Sequence, residues 1–312
     1  MRRIRRITST RRIALLAVAA LTLAACADSS RDEPARPGPS GAGYPVTVGD
    51  TKVERQPVKI VSLSPTATEM LFAIGAGKQV TAVDDQSNYP ADAPKSELSS
   101  YKPNVEAIAA KNPDFVVMTE SKTDPTADQL AKLNIPVYVT AAAKTLDDSY
   151  KQLEDLGKLT GHSAEATDVV KRMKDDLAKI TKDLKPRAKK LTYYHELTPD
   201  LYTARSSTFI GSVYSLVGLS NIADSATAAG DYPQLSAEAV VKASPDLVFL
   251  ADTKCCQQNA AAVKARAGWA DVTAVKNNQI VELDDDIASR WGPRVVDLLR
   301  VVADAVAKVP PA

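Results

Sequence analysis

Short apolar runs alternate with segments of helical periodicity along most of the chain. The apolar runs cover residues 58–63, 80–83, 115–118, 191–194, 247–250 and 280–283. Runs of this length between turn-forming residues are typical of buried β-strands. Helical segments lie at residues 66–74, at residues 209–216 and from residue 294 to about residue 308. Strands that alternate with helices predict an α/β fold with parallel sheets.

Ser64, Pro65 and Gly75 mark the bounds of the first of these helices. Serine is a preferred N-cap, and proline is well suited to the first helical position because its missing N–H would have no partner there. Glycine often ends a helix, since it adopts the left-handed conformation without strain. We therefore predict a helix that starts directly after the strand at residues 58–63.

The longest amphipathic segment covers residues 163–185. Apolar residues recur at spacings of three and four from Ala166 to Leu184, which predicts one continuous helix. Ser163 is a candidate N-cap, and Pro186 would stop the helix. At about 1.5 Å per residue, it would reach roughly 30–35 Å. We expect this stiff helix to connect two lobes and to limit their rotation.

One motif occurs twice in the chain. Residues 104–118 and residues 236–250 each contain a glutamate, Glu106 or Glu238, which is followed seven residues later by Pro-Asp and then by an apolar run. The two glutamates lie 132 residues apart, which predicts two similar lobes rather than a solenoid of short repeats. The predicted lobes cover residues 46–162 and 186–312. A cleft between two lobes is a common site for small ligands.

The N-terminus has the pattern of an export signal. Residues 1–25 contain six arginines, then an apolar run too short to span a bilayer, then small residues before Cys26. This order resembles a bacterial lipoprotein signal, which would make Cys26 the lipidated residue. The alternative is an ordinary secretory signal with an incidental cysteine, and the twin-arginine and Sec routes are both open. Residues 26–45 are rich in Pro, Gly and Ser and predict a flexible tether.

Composition excludes several classes of function. Without the leader, the chain has 33 basic and 38 acidic residues, a formal charge of −5, which argues against a nucleic-acid partner. The only histidines are His162 and His195, fewer than a dedicated zinc or manganese binder would need. The sequence has no phosphate-binding loop, and residues 161–163 lack the second glycine of a nucleophile elbow. We therefore expect no enzyme activity.

Three features together identify a family resemblance: residues 61–69, which end in Glu69; the doubled motif; and residues 292–294, Gly-Pro-Arg. They resemble the substrate-binding proteins of ABC importers for ferric siderophores, haem and vitamin B12, over about residues 57–308. The resemblance implies two α/β lobes bridged by one long helix, no cofactor of its own, and delivery of a ligand to a permease and its ATPase. We expect a monomer. The alternative is a cell-surface scaffold or sensor with the same fold and no transport role.

In that family a glutamate on each lobe docks with arginines of the permease, and the matching positions are Glu106 and Glu238. Two acidic groups on a rigid body would fix its orientation on a two-fold channel and speed encounter. The alternative is local, because Asn104 and Ser236 look like N-caps. A carboxylate two residues after the cap stabilises a helix dipole by about 0.3–1 kcal/mol. The two roles are compatible.

Residues at the carboxyl ends of the predicted strands should line the cleft. The candidates are Gln86, Tyr101, Thr119, Tyr202, Arg205, Tyr232, Asp286, Arg290 and Trp291. Aromatic rings suit a large, partly polar ligand, and the arginines could bind carboxylate, catecholate or phosphate oxygens. Vitamin B12 binders of the family have tryptophan-rich pockets, whereas this chain has tyrosine and threonine, so a ferric siderophore is the leading ligand and cobalamin the next.

Haem is a further alternative ligand, for which Tyr193, Tyr194 and His195 are candidates by residue type alone. Any iron or cobalt would belong to the ligand, and we expect no metal site in the protein itself.

Cys255 and Cys256 are adjacent and follow a predicted strand, near the mouth of the cleft. In an oxidising compartment a disulfide is plausible, although adjacent Cα atoms lie about 3.8 Å apart, closer than in most disulfides. The alternatives are two free thiols or a soft-metal site without further ligands.

Overall fold

The computed structural model of the protein describes residues 43–119, 125–227 and 229–310. The predicted signal peptide, Cys26 and most of the predicted tether lie outside the described residues. Within them, no helix is both long enough and apolar enough to cross a membrane.

Two four-stranded parallel sheets form the two lobes. The N-terminal sheet has the strand order β4-β3-β5-β6, and the C-terminal sheet has the order β10-β9-β7-β8. A short antiparallel hairpin, β1–β2, precedes the first sheet. The strands are β1 Val46–Val48, β2 Thr51–Val53, β3 Ile60–Leu63, β4 Val80–Val83, β5 Phe115–Thr119, β6 Val137–Thr140, β7 Thr192–Glu196, β8 Ser220–Asn221, β9 Leu247–Leu250 and β10 Ile280–Glu282. The predicted α/β class is confirmed.

Helices lie between successive strands of each sheet, between the two sheets and after the last strand. They are α1 Pro65–Ala73, α2 Val105–Ala109, α3 Thr126–Lys132, α4 Leu146–Thr160, α5 Ser163–Lys182, α6 Phe209–Leu216, α7 Ala237–Ala243, α8 Thr253–Cys256, α9 Ala260–Lys264, α10 Thr273–Lys276, α11 Asp285–Ser289 and α12 Val295–Lys308. Short 3-10 turns cover Ala76–Gln79, Ile222–Ser225 and Trp269–Asp271.

Helix α5 differs from its prediction at both ends. Ser163 is already helical, and His162 occupies the N-cap without a side-chain capping bond. The helix ends at Lys182, before Pro186 is reached. Gly161, at φ 80°, ends α4 so that α5 can turn back and pack against it. Helix α5 therefore starts from a glycine turn, and neither the predicted serine cap nor the proline stop is used.

One hydrophobic cluster extends through both sheets and the helix between them. It includes Phe115 of β5, Val169 and Met173 of α5, and Phe249 of β9. Each sheet has a second, smaller cluster on its other face. Because the interior is continuous, large rotations of the lobes would expose packed apolar surface.

The repeated motif gives the same local structure in both lobes. Asp114 accepts hydrogen bonds from the amides of Val58 and Lys59, at 3.0 and 2.9 Å, just before β3. Asp246 accepts one from the amide of Thr192, at 2.8 Å, where β7 begins. In each lobe, the aspartate of the Pro-Asp pair thus ties the start of one strand to its neighbour.

Candidate functional site

A pocket of about 520 Å³ lies where the sheets end. It brings together several predicted cleft residues, namely Gln86, Tyr101, Thr119, Asp286, Arg290 and Trp291, with Ser64, Pro65, Thr66, Ser100 and Ser289 beside them. The lining is half polar in character, with two aromatic rings. It suits a ligand that is large and partly polar.

The start of α1 forms one wall of the pocket. The Ser64 hydroxyl accepts a hydrogen bond from the Ala67 amide at 3.3 Å, which caps the helix as predicted. Behind this wall the Thr68 hydroxyl lies 2.9 Å from the hydroxyls of Ser62 and Ser87, and all three are buried. These buried hydrogen bonds fix the position of the first turn of α1.

Arg290 lies at the floor of the pocket and joins the two halves of the molecule. Its guanidinium donates to the Glu69 carboxylate at 2.8 Å, to the Asn88 side chain at 3.0 Å and to the Gln86 carbonyl at 3.0 Å. It also donates to Asp286 at 2.7 Å. Only 9% of the Arg290 side chain is exposed. We call Glu69, Asp286, Arg290 and Arg294 the clasp.

Glu69 is the central residue of the clasp, and sequence reasoning gave it no role. Its side chain is 2% exposed and accepts from Arg290 and from both Nε and Nη2 of Arg294, the former at 2.9 Å. The Arg294 guanidinium also stacks on Tyr89, 4.1 Å from the ring centre. Residues 61–69 and 292–294 carried the family resemblance, and the fold brings these two segments into contact.

Asp286 connects the clasp to α8. It accepts from Asn88 at 3.0 Å and from Lys254 at 2.8 Å. Partial burial opposes ionisation, but Lys254, Asn88 and Arg290 together hold the pKa of Asp286 below its ordinary value of 3.8. Asp286 is thus a charged member of the pocket.

Trp291 is fixed from the N-terminal half of the chain. Its indole N–H donates to the Gln152 side chain at 2.8 Å, and its carbonyl accepts from the Ser149 hydroxyl. Both partners lie on α4. The ring is therefore held in place before a ligand arrives.

Tyr202, Arg205 and Tyr232 are not part of the pocket lining. The two tyrosines are 42% and 54% exposed. The Arg205 guanidinium donates to the carbonyls of Gly230, Ala223, Asp224 and Ala226 at 2.8–3.2 Å, so it braces the segment around them. Their predicted ligand roles stay predictions.

Glu106 and Glu238 are both exposed in the first turns of α2 and α7. The predicted N-caps are present: Asn104 accepts from the Ala107 amide at 2.9 Å, and Ser236 accepts from the Ala239 amide at 3.1 Å. The capping hydrogen bonds are made by Asn104 and Ser236, so the glutamate side chains are not needed as caps. Both glutamates are exposed to solvent. The geometry is compatible with both roles weighed for the glutamates.

The adjacent cysteines form α8 with Thr253 and Lys254, and the structure places a disulfide between them. The Asp285 carboxylate accepts from the amides of Thr253, Lys254 and Cys255, each at 2.9 Å. Helix α8 is thereby fixed to α11, which also carries Asp286. Cys255 is therefore hydrogen-bonded to Asp285, whose chain neighbour Asp286 lines the pocket.

Tyr193, Tyr194 and His195 do not face the pocket. All three are at most 1% exposed, and the Nδ1 atom of His195 lies 2.8 Å from the Tyr214 hydroxyl. Burial lowers the pKa of His195 to about 3, so the ring is neutral. The suggestion that these side chains ligate haem was wrong for this structure, because strand β7 buries them in the core.

The fold and pocket define a class, a two-lobed α/β binding protein with a polar and aromatic pocket. The sequence profile of the periplasmic binding protein family matches residues 60–287. The chain therefore belongs to this family. It is a substrate-binding protein of ABC importers and not an enzyme, and what such proteins hold is a substrate rather than a cofactor.

Three known proteins illustrate the relationship. The chain is 30% identical over 310 residues to an uncharacterized ABC transporter substrate-binding lipoprotein, YvrC of Bacillus subtilis, covering 94% of this chain and 95% of that protein. It is 28% identical over 316 residues to a cobalamin-binding protein of Halobacterium salinarum, covering 94% and 84%. A crystal structure of a possible iron-binding periplasmic protein from Staphylococcus epidermidis is 27% identical with a TM-score of 0.70, covering 81% of this chain and 100% of that one.

Proposed function

We propose that the protein is an extracytoplasmic lipoprotein, anchored through Cys26, that captures cobalamin and delivers it to an ABC permease and its ATPase. The observation that carries the proposal is the pre-formed pocket of about 520 Å³, with Tyr101 and Trp291 in its lining. Support for cobalamin comes from the Halobacterium relative, which is named for that ligand and matches 94% of this chain.

A ferric siderophore is the second candidate cargo. The sequence favoured it narrowly, because Tyr101, Thr119 and Tyr232 stand where vitamin B12 binders have tryptophan. The Staphylococcus structure, described as possibly iron-binding, also supports it. Cobalamin ranks first here because the relative named for it matches a larger share of the chain.

Titration calorimetry tests the cargo directly. The purified protein is titrated with cyanocobalamin, with an uncharged ferric trihydroxamate and with haem. We expect saturable binding of cyanocobalamin, and quenching of Trp291 fluorescence that a Trp291→Phe variant no longer shows. Trp269 is 1% exposed in the C-terminal lobe and serves as the internal reference. If none of the three compounds gives a binding heat, the transport proposal is refuted.

We propose further that Glu106 and Glu238 dock with cationic residues of the permease. Both are exposed, and neither forms an ion pair within the described residues. The Glu106→Arg/Glu238→Arg double variant should lose most uptake in cells while its affinity for cargo is unchanged. A matched control is Glu165→Arg with Asp304→Arg, which reverses two exposed acids on α5 and α12. Equal uptake by both double variants would refute the docking assignment.

A further inference from the structure

The positively charged side chain of the pocket, Arg290, is already paired with other groups of the protein. Arg290 is the only lysine or arginine among the described residues that line it. Its two terminal nitrogens donate to Glu69, Asn88, Gln86 and Asp286, at 2.7–3.0 Å. A guanidinium has five N–H donors, and the four on these terminal nitrogens are directed at protein acceptors. Arg290 therefore has no terminal pair left to grip a ligand carboxylate or catecholate.

Glu69 is one of the two carboxylates that pair with Arg290. It lies on α1 and touches the pocket lining through Arg290, and its carboxylate lies between the guanidiniums of Arg290 and Arg294. Its side chain is almost fully buried there. Within the clasp two carboxylates face two guanidiniums, so its charges cancel.

We propose that Glu69 determines the charge selectivity of the cleft: by holding Arg290 it leaves the pocket floor without net positive charge, so the site selects uncharged metal chelates over strongly anionic ones. The inference rests on the proposed function in one respect, that the pocket binds a metal chelate. Glu69 is a positioning residue, because it acts on the ligand through Arg290.

An anionic chelate would bind only if Arg290 left its partners. That exchange would leave Glu69 and Asp286 with fewer counter-charges in a largely buried setting, where unpaired carboxylates are costly. An uncharged chelate makes no such demand, since it can use the polar side chains of Gln86, Tyr101 and Thr119 and the aromatic faces.

The test is a ligand panel in which charge is the variable. Cyanocobalamin and a ferric trihydroxamate are uncharged overall, whereas a ferric tricatecholate carries three negative charges. Affinities are measured by calorimetry for the wild-type protein and for Glu69→Gln, at about 0.01 M and about 0.15 M salt. We expect the wild-type protein to prefer an uncharged chelate. In Glu69→Gln the affinity for the trianion should rise at least roughly tenfold relative to the uncharged chelate, about 1.4 kcal/mol, and more at low salt.

Two results would overturn the inference. The first is a wild-type protein that binds the trianion as tightly as any uncharged chelate. The second is a folded Glu69→Gln protein with lower stability but unaltered selectivity, which would make Glu69 a purely structural residue. Asp286→Asn is the second variant, with a smaller change expected in the same direction. If Glu69→Gln does not fold, the wild-type panel and Asp286→Asn decide the question.

The panel separates this inference from the proposed cargo. Binding of the trihydroxamate but not of cyanocobalamin would refute cobalamin as cargo and support charge selection. Tight binding of the tricatecholate would refute charge selection and keep the transport role. Glu165→Gln, an exposed change on α5, is the control and should leave every affinity ratio unchanged.

Discussion

Replacing Asp252 by asparagine should stabilise the protein at neutral pH and not at acidic pH. Asp252 follows β9, and Glu196 ends the neighbouring strand β7. Both residues are 0% exposed. Arg266 donates to both oxygens of Glu196, at 2.6 and 2.5 Å. Neither oxygen of Asp252 has a hydrogen-bond partner in the described part of the chain. Of these two buried carboxylates, only Glu196 is paired with the guanidinium.

The sign of the pH dependence follows from Asp252. Burial, and then the neighbouring Glu196 carboxylate, raise the pKa of Asp252 from 3.8 to about 7. Between these values the folded protein holds a proton that the unfolded chain releases. The stabilisation is therefore complete below pH 3.8 and is lost as the pH rises through about 7. A gap of about three between the two pKa values corresponds to at most about 4 kcal/mol. Because relaxation of a protein around a buried charge lowers such a penalty, we expect about 2 kcal/mol.

Asparagine cannot ionise, so it avoids placing a second negative charge beside Glu196. Asp252→Asn should therefore unfold with a free energy about 2 kcal/mol above that of the wild type when the pH exceeds 7, and the difference should vanish below pH 4. The low pKa of His195, about 3, produces the opposite trend, with stability lost as the pH falls. That trend is common to both proteins and cancels in their difference.

Urea unfolding at a series of pH values, without reductant so that the cysteine pair is the same in both proteins, measures this difference. Asp176→Asn changes an exposed carboxylate on α5 and is the control, with no pH-dependent difference expected. The reasoning is refuted if the gap between Asp252→Asn and the wild type is the same at all pH values. A variant less stable than the wild type above pH 7 would refute it as well.

Two further predictions concern backbone positions. Gly211→Ala would place a Cβ 2.2 Å from the Arg205 carbonyl oxygen and 2.4 Å from the Ser206 Cα, so a loss of about 1–3 kcal/mol is expected; an unchanged melting temperature would contradict the close packing of α6. Asp246→Ala removes the acceptor of the Thr192 amide and should cost about 1–3 kcal/mol in urea unfolding. A cost near zero would show that water replaces the carboxylate there.

Local signals predicted much of the fold because they act over a few residues. The bounds of β4, β9 and α6 were predicted residue by residue, since each is an apolar run between clear turn or cap residues. The cap at Ser64 was confirmed for the same reason. Hairpin β1–β2, strand β6 and helix α4 were missed. The hairpin strands are only three residues long, too short for a periodic pattern. Helix α4 did carry a signal, since Tyr150, Leu153, Leu156 and Leu159 recur at spacings of three between its caps.

The site was harder to predict because its main contacts join distant parts of the chain. The prediction from strand ends named Tyr101, Thr119 and Asp286, and all three line the pocket. It gave no way to see that Glu69 would meet Arg290, since 221 residues separate them. Arg205, by contrast, was predicted to line the cleft but is not among the residues of the pocket. Its partners are backbone carbonyls of an irregular segment, which no periodicity reveals.

The acidic residues of the clasp are paired, whereas the two proposed docking glutamates are not. This difference separates ligand selection from docking on the permease. In the clasp, the carboxylates of Glu69 and Asp286 are paired with guanidiniums, so little free charge is left for cargo. On the surface, Glu106 and Glu238 form no ion pairs within the described residues and keep their full charge for a cationic partner. The clasp lies against the continuous hydrophobic cluster, whereas α2 and α7 pack through Ile108 and Val240 into the two smaller clusters. Substitutions in the clasp should therefore change which ligand binds, whereas substitutions at the two glutamates should change only its transfer to the permease.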